Sequence, residues 1–216
     1  MSQRDPGRRE LGVAAPRAEA KSTPADSIGG TPPVDPPDEA LEAQWKQGSA
    51  PAFAILFERW HGRAYAYAMR RTNGNVTLAE DAAQRAFVKL YASPPSGQGA
   101  GSFKTLLFTV VEHELVNEAR RNTVRKETGI DTTLRNKANE DETPDAKAAS
   151  DEERREIAAA LAELPEEERT IVLLREVEGL TFRQVCEATG FTRDMVRGRL
   201  GKALERLRRS LKRRAS

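Results

Sequence analysis

Residues 179–211, GLTFRQVCEATGFTRDMVRGRLGKALERLRRSL, decide the fold of the C-terminal part of the chain. They predict two helices joined by a tight turn. Thr181 is suited to cap the first helix, because its side-chain oxygen accepts hydrogen bonds from free backbone N–H groups. Gly190 ends that helix, since glycine adopts a positive φ without steric cost. Thr192 is the expected cap of the second helix, and the whole pattern is a helix-turn-helix.

Both helices carry an apolar stripe at intervals of three and four residues. The stripe consists of Phe182, Val185, Cys186 and Ala188 on the first helix, and of Val196, Leu200, Ala203, Leu204, Leu207 and Leu211 on the second. These side chains are the expected core of a small C-terminal domain.

The second helix also carries a dense run of cations, which only Asp194 and Glu205 offset. A charge run by itself usually marks a solvated helix face. In a helix-turn-helix it favours DNA binding, because the start of the second helix reaches base edges in the major groove and the flanking cations meet phosphates. The residues predicted to bind DNA here are Thr181, Arg183, Thr192, Arg193, Arg197, Arg199 and Lys202.

Composition restricts the class of protein further. The chain has 216 residues and a net charge of only +2, although the segment from Thr192 onward is strongly basic. One cysteine, Cys186, excludes an internal disulfide and a multi-cysteine metal site, and we expect it to be a small buried hydrophobe. No apolar run is long enough to cross a bilayer, so we expect no membrane insertion and a cytoplasmic location.

The rest of the chain shows helical periodicity with no competing strand pattern. We therefore predict an all-α fold of two small helical domains joined by a flexible acidic linker. The expected segments are a disordered extension over 1–37, a helical domain over 38–122, the linker over 123–149, and the helix-turn-helix domain over 150–216.

Capping signals place the helices of the first domain. Ser49 and Pro51 begin a long helix that ends near Arg71. Thr77, followed by Glu80 three residues later, predicts a capping box for the next helix. Ser102 is expected to cap a fourth helix that runs to about residue 122, and Pro165 to open an unbroken helix ending at Gly179.

Two sets of surface residues in the first domain can be explained without any binding partner. Asp81, Gln84, Arg85 and Val88 share one face of the third helix, and their spacing by itself favours an ordinary solvated face. Cations at the C-terminal end of the fourth helix suit the helix dipole without any ligand. His113 has no second histidine at metal-binding spacing, so we expect neither a metal site nor a cofactor.

Three stretches nevertheless resemble one family. AEDAAQRAFVKLY (79–91), SFKTLLFTVVEHELVNEARR (102–121) and residues 164–211 are similar, in order and spacing, to the extracytoplasmic-function group of bacterial sigma factors. The C-terminal stretch is the more specific, although other helix-turn-helix regulators share it.

The resemblance implies a non-enzymatic subunit that binds core RNA polymerase, recognises two promoter elements and helps to open the duplex. The helix over 78–91 then docks on the clamp coiled coil of the polymerase through Asp81, Gln84, Arg85 and Val88. The helix-turn-helix reads the minus-thirty-five element. An anti-sigma protein is a frequent further partner of such factors. The melted minus-ten strand is expected to be held by Gln98, Lys104, Asn117, Arg120 and Arg121.

Some residues depart from the family pattern. Arg85 replaces an acidic residue, Leu106 replaces an aromatic one, and Glu112 and Glu114 add negative charge to the helix expected to hold DNA. Gly198 and Gly201 lie inside the recognition helix, where each costs about 1 kcal/mol relative to alanine. These glycines are consistent with close approach of the backbone to DNA or with a weak helix.

Two other functions compete with the sigma factor. A stand-alone helix-turn-helix regulator would bind duplex DNA tightly and specifically without polymerase. An enzyme finds little support, because the sequence has no phosphate-binding loop, nucleophile elbow or metal-ligand cluster.

Overall fold

The computed structural model describes residues 36–95, 101–127 and 148–214. These residues form α-helices and one π-helical turn at Leu173–Val177, and no strand occurs among them, which confirms the all-α class. The helices are α1 (Asp38–Lys46), α2 (Ala50–Arg71), α3 (Val76–Ala92), α4 (Phe103–Glu127), α5 (Ala148–Ala162), α6 (Glu166–Val172), α7 (Phe182–Thr189) and α8 (Arg193–Arg214).

The helices form two lobes. We call α1–α4 the N-terminal lobe, and α5–α8 with the π-helical turn the C-terminal lobe. Residues 1–35 of the predicted extension and 128–147 of the predicted linker lie outside the described residues, and the boundaries proposed for these segments stay predictions.

An aromatic cluster fills the N-terminal lobe. Trp45 packs edge-on against Phe103 with ring centroids 5.2 Å apart, and Phe53 lies 6.4 Å from Phe87. The large apolar area that these rings remove from water is the main stabilising term of the lobe. Phe57 lies at the edge of this cluster: it is 37% exposed and meets Phe87 edge-on, with ring centroids 4.8 Å apart.

Three helices differ in their extent or regularity from the sequence prediction, the simplest case being α4, which continues to Glu127 rather than ending near residue 122. Asn75, not Thr77, caps α3, because its side-chain oxygen accepts a hydrogen bond from the Leu78 N–H at 3.1 Å. In the turn between α2 and α3, Asn73 and Gly74 have positive φ values of 54° and 80°. Asn75 follows this turn directly and is the N-cap residue of α3. Thr77 lies inside the first turn.

The helix that was predicted to continue to Gly179 changes its hydrogen-bond pattern after Val172. The backbone N–H of Glu178 donates to the carbonyl of Leu173 at 2.9 Å, and the Leu180 N–H donates to the carbonyl of Leu174 at 2.9 Å. This wider turn is rare and is often found at functional sites. It leaves Glu178 only 3% exposed, against the N-terminal lobe.

The buried apolar residues of both lobes belong to one continuous cluster. α4 packs against α7, and α2 touches α5, α6 and the π-helical turn. The two lobes therefore share a core rather than contacting each other only through polar surfaces.

Candidate nucleic-acid interface

The helix-turn-helix forms as the sequence predicted. The Thr181 side chain accepts a hydrogen bond from the Gln184 N–H at 3.3 Å, and the Gln184 side chain accepts one from the Thr181 N–H at 2.7 Å. Gly190 ends α7 with φ 73°, and Thr192 accepts a hydrogen bond from the Met195 N–H at 3.4 Å. Thr181, Gly190 and Thr192 are thus confirmed in their structural positions, while the reciprocal partner Gln184 was missed.

The apolar stripes of both helices face inward. Val185 and Ala188 of α7 are buried, as are Val196, Leu200 and Ala203 of α8. This packing holds the two helices together and presents the opposite face of α8 to solvent.

Six of the seven residues predicted to read the minus-thirty-five element are exposed on this motif; they are Thr181, Arg183, Thr192, Arg193, Arg197 and Lys202. The seventh, Arg199, is engaged within the protein. It pairs with Glu167 at 2.7 Å and stacks over the Phe191 ring at 4.5 Å, which leaves 26% of its side chain exposed.

The two glycines of the recognition helix, α8, face open space. A Cβ atom built on Gly198 or on Gly201 would meet nothing within 4 Å. Packing within the protein therefore does not require glycine at either position.

A shallow groove between the starts of α7 and α8 contains a cation that sequence reasoning missed. Its lining includes Arg175, Thr181 and Arg193. Arg175 donates to the Leu180 carbonyl at 2.8 Å and stacks over the Phe182 ring at 5.0 Å. In sequence this arginine lies inside an apparently regular helix, so no local pattern reveals that the π-helical turn places it beside the motif.

The residues predicted to hold the minus-ten strand do not form one cluster. Asn117, Arg120 and Arg121 are exposed together near the C-terminal end of α4. Lys104 lies 13 residues earlier, about 20 Å along the helix axis. Gln98 lies outside the described residues.

Lys104 instead faces the C-terminal lobe. Its Nζ atom lies 3.7 Å from where a Cβ on Gly179 would be. Burial, and then the nearby Arg63, lower the pKa of Lys104, while Glu178 opposes this shift. Burial raises the pKa of Glu178, against the opposing effect of Arg63 and Lys104.

Glu112 and Glu114 do not add charge to a DNA surface, contrary to the sequence expectation. Both are buried, at 3% exposure. Glu112 accepts hydrogen bonds from the Tyr67 hydroxyl at 2.8 Å and from the Arg71 guanidinium at 3.1 to 3.2 Å, and Glu114 pairs with Lys89. Arg71 and Lys89 thus neutralise these two charges inside the lobe. Because both partners lie on other helices, the spacing of residues along α4 does not reveal the pairs.

The face of α3 predicted to bind polymerase is accessible. Gln84 is exposed and Val88 is 61% exposed. Arg85 bridges Asp81 at 3.3 Å and Glu118 of α4 at 3.1 Å, so its positive charge is balanced by two carboxylates. Tyr91, a further exposed residue of this face, lies three positions after Val88 on the same side of the helix and is 56% exposed.

The described residues hold no group of three or more His, Cys, Asp or Glu side chains arranged to bind a metal ion. Across 36–95, 101–127 and 148–214, no helix is long and apolar enough to span a membrane.

Two family models match the chain. The model of sigma-70 region 2 matches residues 56–125, within the N-terminal lobe, and the model of sigma-70 region 4 matches residues 154–207, within the C-terminal lobe.

Curated relatives agree with these matches. The ECF RNA polymerase sigma factor SigL of Mycobacterium tuberculosis is 30% identical over 158 residues, which cover 72% of this chain and 86% of that protein. The ECF RNA polymerase sigma-E factor of Haemophilus influenzae is 27% identical over 175 residues, covering 78% of this chain and 92% of that protein.

Solved structures share the fold. CnrH, solved in complex with the cytosolic domain of CnrY, has a TM-score of 0.57 at 24% identity, covering 81% of this chain and 97% of that one. RpoE of Bartonella quintana, solved with the anti-sigma factor NepR, has a TM-score of 0.56 at 20% identity, covering 74% and 96%. The paired regions, the helix-turn-helix and the full-length relatives lead to one conclusion: the chain belongs to the extracytoplasmic-function group of RNA polymerase sigma factors, transcription initiation factors that direct core polymerase to promoters.

Proposed function

We propose that this sigma factor binds core polymerase through one face of α3, which consists of Asp81, Gln84, Arg85 and Val88 and is extended by Tyr91. The observation that carries the proposal is the exposure of Val88 at 61% and Tyr91 at 56% on a helix whose opposite face is buried. Exposed apolar side chains next to charges that are already paired within the protein are typical of the centre of a protein–protein interface.

The C-terminal lobe is proposed to read the minus-thirty-five element. The start of α8 enters the major groove, with Arg193, Arg197 and Lys202 available to bases and phosphates. Gly198 and Gly201 leave the helix surface low between these cations, which supports close approach to the duplex.

The minus-ten strand is assigned to α4. Asn117, Arg120 and Arg121 supply an amide and two cations at one exposed end of this helix, which suits a single strand with a flipped base. Lys104 joins this site only if the C-terminal lobe moves away from the start of α4.

An anti-sigma protein is the proposed regulatory partner, since CnrH and RpoE were each solved with such a protein or its domain. The proposed role is that of a non-enzymatic subunit with no cofactor of its own, acting in the cytoplasm where the polymerase works.

The test is size-exclusion co-elution of the purified protein with core RNA polymerase, followed by titration. Gln84→Ala combined with Val88→Ala should weaken the complex about tenfold, which corresponds to about 1.4 kcal/mol. Glu58→Ala, an exposed change on α2, serves as the matched control.

Binding of the same proteins to a duplex carrying only the minus-thirty-five element should be equal for all three. Polymerase affinity that survives the double change would show that this face of α3 is not the docking surface. Absence of a complex with the unmodified chain would refute the proposed polymerase role as a whole.

A further inference from the structure

One carboxylate lies between the face proposed to bind polymerase and the residues proposed to hold the minus-ten strand. Glu118 of α4 accepts a hydrogen bond from the guanidinium of Arg85 on α3, at 3.1 Å. The same oxygen, Oε2, lies 3.5 Å from the Nε atom of Arg121. Glu118 therefore contacts one cation on each of the two proposed binding surfaces.

The position of Glu118 makes its charge matter to a bound strand. It follows Asn117 directly and lies three positions before Arg121, on the end of α4 that carries the proposed strand site. Its side chain is 15% exposed, whereas that of Arg121 is 48% exposed. A carboxylate beside Arg121 repels an approaching phosphate, and its partial burial reduces the screening of that repulsion by salt. The strand site therefore needs a further cation that neutralises Glu118.

Arg85 supplies that cation from the neighbouring helix. Asp81, one turn earlier on α3, pairs with the other side of its guanidinium at 3.3 Å, so two carboxylates hold the group in place. α3 packs against α4, and a second ion pair between these helices joins Lys89 to Glu114. These contacts fix the register of the two helices and keep the Arg85 guanidinium against the Glu118 carboxylate.

The geometry of Arg121 shows what the neutralisation achieves. Its Nε atom donates to the Asn117 carbonyl at 3.3 Å and lies near Glu118. Within the part of the chain that the structure describes, its two terminal nitrogens make no bond and are open to a phosphate. Without Arg85, the Glu118 carboxylate would be free to form a bidentate pair with Arg121, because guanidinium and carboxylate groups match in shape. That pair would occupy the nitrogens that a phosphate needs.

We infer that Arg85 is a positioning residue of the minus-ten site: by holding and neutralising Glu118, it leaves Arg121 free to bind the phosphates of the melted strand. The inference rests on the proposed assignment of that strand to the end of α4, and it adds a role to the one proposed for Arg85 on the polymerase face. The family pattern has an acidic residue where this chain has Arg85, so the resemblance does not imply this role.

The test measures binding of the full-length chain to a fluorescently labelled oligothymidylate of about 12 nucleotides, followed by anisotropy over a range of salt concentrations. Polymerase is left out, so an effect of Arg85 on docking cannot contribute. Every protein compared carries Arg193→Ala, Arg197→Ala and Lys202→Ala, which reduces strand binding by α8, and this triple variant is called the background protein. Adding Arg121→Ala should lower the affinity about fivefold and make the salt slope shallower by about 0.7, the loss of one phosphate contact.

Arg85→Met should lower the affinity of the background protein about threefold and also make its salt slope shallower, because Glu118 then competes with phosphate for Arg121. Adding Glu118→Gln to Arg85→Met should restore both the affinity and the slope. Arg85→Lys keeps the positive charge and should retain most of the affinity. Arg70→Met removes an exposed cation from α2 of the same lobe and should behave like the background protein.

A loss of folded protein would reduce the amplitude of binding without changing the salt slope, so the slope separates positioning from a structural defect. Arg85→Met that binds like the background protein, or a loss that Glu118→Gln does not restore, would refute the positioning role. If Arg121→Ala weakens binding as expected, that failure concerns the inference alone. If Arg121→Ala leaves affinity and slope unchanged, the proposed strand site is wrong, and the inference is refuted with it.

Discussion

Arg71→Met is expected to lower the free energy of unfolding by about 3 kcal/mol, because it strands a buried carboxylate. The side chains of Arg71 and Glu112 are 8% and 4% exposed. Opposite charges about 4 Å apart attract by about 4 kcal/mol at an effective dielectric constant of 20. Loss of one partner of a buried pair costs about 3–5 kcal/mol, and the hydrogen bonds from Tyr67 and Thr170 to Glu112 place this case at the lower end.

Urea unfolding followed by tryptophan fluorescence measures this change, with Arg70→Met, an exposed neighbour on the same helix, as the control. Combining Arg71→Met with Glu112→Leu should recover part of the loss, since an apolar pair leaves no buried charge. The pair should therefore be non-additive by about 2 kcal/mol or more. A loss below about 1 kcal/mol for Arg71→Met, or simple additivity, would refute the view that these two residues form a buried, mutually dependent pair.

Two further predictions concern the recognition helix. Arg197→Ala and Lys202→Ala should each lower the slope of log affinity against log salt by about one for a minus-thirty-five duplex, whereas Arg155→Ala on α5 should not. Equal slopes for all proteins would remove the two residues from the phosphate contacts. Gly201→Ala should raise the unfolding free energy by about 1 kcal/mol, since its Cβ meets open space, and should weaken duplex binding if the backbone approaches DNA closely. Unchanged affinity, measured by fluorescence anisotropy, would mean that the glycine only weakens the helix.

The helix-turn-helix was predictable because its signals are local. Thr181, Gly190 and Thr192 each act within three or four residues along the chain, so their positions in the sequence are enough to place both helices. The apolar spacing then determines which face of α8 is buried.

The features that the sequence did not reveal depend on distant residues. Glu112 meets Arg71 from 41 positions away and Thr170 from 58, so neither partner follows from periodicity on α4. The π-helical turn is similar, since its sequence also suits a regular helix. Its effect appears only when Glu178 meets Arg63 of the other lobe.

The basic run of α8 shows why a count of charges overstates a DNA surface. Beyond the first turns, Arg206 pairs with Glu168 of α6 at 3.5 Å, and Arg213 and Arg214 both pair with Glu163, the residue after α5. These cations attach the end of α8 to the lobe. In the proposed DNA complex, we therefore expect phosphate binding to depend mainly on a few residues near the start of α8. For about three neutralised phosphates the expected salt slope is close to −2.7, which is much shallower than the slope of about −9 that ten cations would produce.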